Sequence, residues 1–189
     1  GNPHSLEQSP LTYMRQVLSL TVNPSLMDQA KSLYPPEAMS RAAKYLERIP
    51  GMGAYSESQG IAAVREDICK FLEQRDGYTA DANNIFVTNG ASDGVRLCFQ
   101  TVIRSGPGFK DGILTPIPQY PLYSALTALL NGHLVPYYLD ESKGWSCSTE
   151  SLSESLAAAS KDKITTRGLV VINPGNPTGK SVTIIFAEG

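Results

Sequence analysis

The chain has 189 residues, 41% of them hydrophobic and 18% charged, with a net charge of −2. That is room for one compact domain with a real core and too little for two full-sized ones. The charge gives no reason to expect a nucleic acid or an anionic membrane as partner, and no apolar run approaches the ~20 residues that span a bilayer.

Residues 1–40 read as irregular and proline-rich, with one short amphipathic stretch at 13–20. Helices follow at 41–48 and 61–74; in the second, Ile61, Val64, Ile68, Phe71 and Leu72 recur at helical spacing. Between them lies a glycine-rich loop, 50–60. From there the pattern is regular: a strand at 85–88, a helical stripe of Val95, Cys98, Phe99 and Val102, a strand at 112–115, a helix at 122–130 and a strand at 134–139. A helix near 152–159 and a β-branched run at 168–172, read as the last strand, complete it. Strands alternating with helices predict an α/β fold, a mostly parallel sheet with helices on both faces. Ligands of such sheets bind at the carboxyl ends of the strands. The two sharpest loops, 89–94 and 173–180, both follow expected strands and are expected on that edge.

Cys69, Cys98 and Cys147 are odd in number and far apart, fitting neither a disulfide framework nor a C-x-x-C metal clip, and read as reduced thiols. The prolines in Asn23-Pro24-Ser25 and Asn176-Pro177-Thr178 exclude these as glycosylation acceptors. A cytosolic or mitochondrial-matrix protein is the expectation.

Gly90-Ala91-Ser92-Asp93-Gly94 is a literal G-x-S-x-G where a strand is expected to turn into a helix. Three readings are open for Ser92. As the nucleophile of a serine hydrolase it needs an acid and then a histidine later in the chain. The one histidine after it, His133, stands where a helix gives way to a strand, at the opposite edge of the sheet. As a helix cap, Ser92 or Asp93 would satisfy N–H groups of the first turn. As an anion site, the free N–H groups of Ala91 and Ser92, the Ser92 hydroxyl and the helix dipole would hold a phosphate; Asp93 would repel that phosphate if turned toward it. Gly175-Asn176-Pro177-Thr178-Gly179-Lys180-Ser181 is one residue short of a P-loop, and Pro174 and Pro177 remove donors that such a loop needs. Gly106-Pro107-Gly108-Phe109-Lys110-Asp111-Gly112 leads from helix to strand and reads as a turn rather than a dinucleotide fingerprint.

Five blocks occur in order: Gly1-Asn2-Pro3-His4; Gly53-Ala54-Tyr55-Ser56-Glu57-Ser58-Gln59-Gly60; Asn89-Gly90-Ala91-Ser92; Pro116-Ile117-Pro118-Gln119-Tyr120-Pro121-Leu122-Tyr123; and Asn173-Pro174-Gly175-Asn176-Pro177-Thr178-Gly179. From residue 1 to about 180 the series resembles the class I, fold-type-I pyridoxal-phosphate aminotransferases, and among them the alanine aminotransferases. The resemblance implies pyridoxal 5'-phosphate as cofactor, an amino acid and a 2-oxo acid as substrates, and transfer of the amino group between L-alanine and 2-oxoglutarate. It assigns the cofactor phosphate to Ala91 and Ser92, the face of the pyridine ring to Tyr120 and the phenolic oxygen to Asn176. Tyr55 would cross to the phosphate of the neighbouring subunit of a homodimer. It also implies an N-terminal interface segment at 1–40 and an incomplete cofactor-binding large domain at 41–189. The family's Schiff-base lysine, its pyridine-nitrogen carboxylate and its substrate arginine all follow the Asn-Pro-Thr-Gly segment, and no residue of this chain matches them. By this resemblance the chain reads as a fragment with no catalytic lysine of its own. A non-catalytic remnant that binds phosphate or pairs with a full-length subunit is the alternative.

Overall fold

The structure is a computed structural model that describes residues 3–49, 52–53, 55–104 and 106–181. Contacts divide the chain into two compact units, 1–87 and 88–189.

In the first unit α1 (Thr12–Val22) packs against α3 (Pro36–Leu46), with the short α2 (Met27–Ala30) between them in sequence. Leu20, Ala38 and Ala42 are fully buried at that contact, together with Val17 and Ala30. The expectation of an irregular segment at 1–40 is therefore corrected: most of it is helical. Its prolines punctuate rather than disrupt, because Pro24 and Pro36 stand in the first turns of their helices, where the missing N–H has no intrahelical partner to lose. Residue 40, the expected domain boundary, lies inside α3.

The fourth helix, α4 (Ala62–Asp76), carries the apolar periodicity read from the sequence and ends at Gly77 in the left-handed conformation. It is tied to α3 by charge. Asp67 accepts from Arg41 at 2.5 Å, Lys44 at 2.6 Å and the Tyr45 hydroxyl at 2.9 Å, while Arg48 and Glu66 form a two-pronged pair. Arg65 is buried and donates to the carbonyls of Gly60 at 2.8 Å and Ala82 at 2.5 Å, joining the glycine-rich loop to the turn before residue 85.

The second unit is a three-stranded parallel sheet of order β2-β1-β3, with β1 at Asp111–Ile117, β2 at His133–Tyr138 and β3 at Thr165–Leu169. Alternation along β1 sends Ile113 to one face and Leu114 to the other. On the first face Ile113 meets Phe99 and Ile103 from α5 (Ala91–Val102) and its C-cap, and Leu126 from α6 (Leu122–Leu129). On the second, Leu114, Val135 and Tyr137 meet Ala159 of α7 (Thr149–Lys161). Helices thus cover both faces, as the alternating pattern predicts. Ser148 starts α7 by accepting from the Ser151 N–H.

Two strand boundaries differ from the sequence reading. The segment 85–88 is extended but belongs to no ladder among the described residues, and Phe86 and Val87 are exposed. The last strand begins earlier and ends earlier than 168–172, with a register irregularity where Arg167 is passed over in the pairing with β1.

Asp111, at the amino end of β1, has a fully buried side chain. It accepts from the Arg104 backbone N–H and guanidinium, each at 2.8 Å, and from Arg167 at 3.0 Å. The three cysteines are free thiols. No described helix is long and apolar enough to cross a membrane.

Candidate active site

The turn into α5 is built around Gly90, whose backbone stands at φ 90°, ψ 171°. The Gly90 N–H donates to the Thr88 carbonyl at 2.8 Å and the Thr88 hydroxyl to the Gly90 carbonyl at 3.0 Å, closing a tight loop on both sides of the glycine. The first bond of the helix runs from the Gly94 N–H to the Gly90 carbonyl, so the N–H groups of Ala91 and Ser92 precede it and have no intrahelical acceptor. No side chain caps this end. Ser92 is exposed, and its hydroxyl makes no hydrogen bond among the described residues. The capping reading of Ser92 is therefore corrected.

Asp93 has a different role. Its carboxylate accepts from Arg96 one turn further on, at 2.5 and 3.2 Å, and from the Asn89 N–H at 3.4 Å. The Arg96 guanidinium, and after it the Asn89 N–H, hold the acid below the usual carboxylate range. Its charge is neutralised in place, and the open N–H groups face no unpaired carboxylate of their own turn.

At the carboxyl edge of the sheet one small cavity is lined by the ends of β1 and β2 and by the segment after β3. Pro116 comes from the end of β1 and Pro118 from just beyond it, Tyr137 from β2 and Leu139 from just beyond it, and Ile172, Asn176 and Thr178 from the segment after β3. The loop 173–180 is closed on itself: Gly175 N–H donates to the Lys180 carbonyl and Gly179 N–H to the Gly175 carbonyl, each at 2.7 Å. Asn173–Pro174 and Asn176–Pro177 are cis peptides, as is Ile117–Pro118. Asn176 is exposed on that closed turn. Tyr120, 48% exposed, stands in the connection from β1 to α6, two residues beyond Pro118 of the same cavity.

Of the residues expected from the sequence, Asn176 and the Tyr120 segment come together on the carboxyl edge. Ala91 and Ser92 lie at the head of α5 in the same unit. Tyr55 belongs to the first unit, is fully exposed and stands beside a shallow depression lined by Arg48, Met52, Ser56 and Glu57. Gly1 lies outside the described residues. The expected common edge of the two loops is met by 173–180, which follows β3; the strand before 89–94 is not part of the sheet. His133 is the first residue of β2, opposite the amino end of β1 in register with Gly112. That is the edge away from the strand ends lining the cavity, and no hydrogen bond joins His133 to Ser92 among the described residues. The serine hydrolase reading is set aside on that geometry.

One residue of this edge was not singled out in the sequence. Tyr137 is 3% exposed, and its hydroxyl donates to the Val170 carbonyl at 2.8 Å. The signal was available in the alternation of β2, where Val135 and Tyr137 point inward together.

The donor set fits a phosphorylated, anionic aromatic ligand. It offers two open backbone N–H groups and a hydroxyl at a helix head, a carboxamide on a fixed turn and a half-exposed phenol ring; the acid near them is already paired.

A parallel sheet covered on both faces, with a closed asparagine turn on its carboxyl edge and a helix head with open N–H groups in the same unit, defines an α/β protein. The chain belongs to the aminotransferase class I and II family, whose pattern matches residues 15–184. It is 52% identical over 184 residues to alanine aminotransferase 2 of Panicum miliaceum, covering 95% of this chain and 38% of that protein. It is 50% identical over 186 residues to glutamate–glyoxylate aminotransferase 2 of Arabidopsis thaliana, covering 97% of this chain and 38% of the relative. The chain thus spans just over a third of the length of these relatives. Among solved structures, an alanine aminotransferase from Pyrococcus furiosus superposes with a TM-score of 0.61 at 28% identity, over 79% of this chain and 35% of that one. An aspartate aminotransferase mutant of Thermus thermophilus superposes with a TM-score of 0.63 over 96% of this chain and 47% of that one; at 17% identity it attests the fold alone.

Proposed function

We propose that this chain forms part of a pyridoxal-phosphate-dependent aminotransferase that moves an amino group between L-alanine and 2-oxoglutarate. The carrying observation is a helix head with open N–H groups at Ala91 and Ser92 in the same unit as a closed asparagine turn at the carboxyl edge of the sheet. The names of relatives at about half identity support the reaction class. They include both alanine and glutamate–glyoxylate transaminases, so glyoxylate is a second acceptor to be assayed beside 2-oxoglutarate.

In this reading the Ala91 and Ser92 N–H groups and the Ser92 hydroxyl hold the phosphate, aided by about half a positive charge at the helix head. Tyr120 lies against the ring and contributes apolar and π contact at low entropic cost. The Asn176 carboxamide donates to the phenolic oxygen and favours its ionised form. Tyr55 serves the phosphate of a second subunit in a homodimer. Bound pyridoxal phosphate supplies the electron sink that acidifies the α-carbon of the amino acid. Relatives named as mitochondrial support the mitochondrial matrix as one compartment, with the cytosol the other.

The test is a titration of the 189-residue chain with pyridoxal phosphate, followed by absorbance and by borohydride reduction. Reversible binding, weakened about tenfold in Ser92→Ala through loss of a charge-assisted hydrogen bond, is the expected result. No pyridoxyl group should be fixed to any lysine of this chain. In the complete protein, pyruvate should form from L-alanine and 2-oxoglutarate. Binding untouched by Ser92→Ala and Asn176→Ala alike would remove the site.

A further inference from the structure

The cavity at the carboxyl edge contains one buried polar group that the proposed cofactor contacts leave unused, the Tyr137 phenol. Val170 is the first residue beyond β3. It is held from two sides: its N–H donates to the Leu114 carbonyl of β1 at 2.8 Å, and its carbonyl accepts from the Tyr137 hydroxyl at 2.8 Å. The β3 ladder has ended at Leu169, and these two bonds fix the strand end together with the packing of Val170 on the Phe99–Ile113 core. Past Val170 the chain enters the cavity with Val171 and Ile172 and turns through Asn173–Lys180, locked by the Gly175 and Gly179 bonds. Tyr137 and Asn176 line the same small cavity. Burial, and after it the neighbouring Cys147, push the phenol up to about 12, so the hydroxyl stays a donor through the physiological range.

We propose that Tyr137 is a positioning residue: by holding the Val170 carbonyl it sets where the 173–180 turn stands and hence where Asn176 meets the phenolic oxygen of pyridoxal phosphate. The inference rests on the reading of Asn176 as a cofactor contact. A tyrosine that merely filled the core would be replaceable by phenylalanine with no consequence for that turn. In Tyr137→Phe the ring remains to pack against Leu139 and Cys147, and only the donor is lost.

The experiment uses the complete protein loaded with pyridoxal phosphate and follows the pH midpoint of the cofactor's absorbance change. Losing a donor to the ionised oxygen disfavours that form, so Asn176→Ala raises the midpoint, by about one pH unit. Tyr137→Phe is expected to raise it by about half as much, and the double variant no further than Asn176→Ala alone, as sites acting through one another do. Amide exchange at Val171–Ile172 and across 173–180 should quicken in Tyr137→Phe. A control, Leu20→Ala, loosens the core between α1 and α3 in the first unit and should leave the midpoint at the wild-type value. The inference is overturned if Tyr137→Phe leaves midpoint and exchange unchanged, if its effect adds fully to that of Asn176→Ala, or if Leu20→Ala shifts the midpoint as much. Should Asn176→Ala itself leave the midpoint in place, the cofactor reading of Asn176 fails, and this inference with it.

Discussion

Replacing Gly90 by alanine tests the site through a single backbone angle. At φ 90°, ψ 171° the residue lies outside the left-handed helical region, in territory that side chains with a Cβ scarcely enter. A Cβ built there would meet nothing within 4 Å, so there is no clash to confuse the outcome; the whole cost is backbone strain. Strain of this kind costs about 1–3 kcal/mol, offset by up to ~1 kcal/mol from the stiffer unfolded chain. We expect Gly90→Ala to lower stability by about 1–2 kcal/mol net, read as a fall in the urea midpoint of the 189-residue chain at constant slope. Gly77 supplies the comparison. It too has open space around it, but at φ 76°, ψ 12° it stands in the left-handed region that asparagine tolerates. Gly77→Asn should therefore recover most of what Gly77→Ala loses, whereas Gly90→Asn should be no better than Gly90→Ala. Relief of the strain by rotation about φ would also swing the Ala91 and Ser92 N–H groups, so pyridoxal phosphate affinity should fall by about tenfold, the equivalent of ~1.4 kcal/mol. A Gly90→Ala chain within 0.5 kcal/mol of wild type, taking that as about the spread of neutral surface changes, would refute the reasoning. So would rescue by asparagine.

Three further outcomes follow from packing and charge. Leu20→Ala, at a fully buried position between α1 and α3, should cost about 2–5 kcal/mol through lost transfer energy and a residual cavity, measured as the loss of helical circular dichroism with denaturant. Arg65→Lys keeps the charge but loses the fork that serves the Gly60 and Ala82 carbonyls. It should cost about 1–3 kcal/mol, the penalty for buried acceptors left unpaired, and quicken amide exchange around residue 60; unchanged exchange there would count against the tie. The Asp111 carboxyl is held well below the usual range, first by the Arg104 guanidinium and also by the Arg104 N–H and Arg167. Because its folded value is depressed, its contribution to stability is present above the unfolded value near 3.9 and fades as the pH falls below it. Asp111→Asn should flatten the acid limb of a stability–pH profile and lower the plateau at neutral pH; a profile parallel to wild type below pH 4 would contradict this.

What could be read from the sequence follows from which interactions are local. The 61–74 periodicity, the helix near 152–159 and the strand at 134–139 are properties of a few neighbouring residues, and all three recur in the structure with boundaries moved by a turn or less. Residues 85–88 have strand chemistry, but a strand exists only in a ladder, and the ladder partner is not specified by the strand itself. Thr165 and Arg167, the opening of β3, are polar and lie outside the apolar run at 168–172 that signals the strand; at a sheet edge such residues are compatible with pairing, and here the pairing is fixed by β1 and by the Asp111–Arg167 bond. A proline-rich stretch such as 1–40 reads as irregular because proline ends helices in general; the placement of its prolines at helix starts depends on the packing of α1 on α3, which is not local. At the site, the residues of Asn89–Ser92 and 173–180 were legible as loops with special backbone chemistry. The choice among nucleophile, cap and anion cradle for Ser92 was not, since it turns on what Asp93 and His133 face in three dimensions.

On the proposed reading of Ala91 and Ser92 as phosphate contacts, the two ends of α5 divide stability from recognition. At its C-terminal end the Arg104 N–H and guanidinium lock onto Asp111, and Arg104 also lies over the Phe109 ring at 4.2 Å. This anchors the helix to the amino end of β1, and Val95, Phe99 and Ile103 continue the attachment along the sheet-side core. Because those contacts hold the helix, its first turn needs no capping side chain for its position, and Ser92 can remain unpaired at small cost because it is exposed. The acid that the first turn does contain is tied back to Arg96 on the helix surface. Gly90 then solves the remaining problem, bringing the chain in at an angle that leaves the Ala91 and Ser92 N–H groups open. A capping serine or aspartate at position 90 would reach for the Ser92 or Asp93 N–H and place its own oxygen at the helix head, which is the physical reason a glycine, the weaker cap, suits this turn.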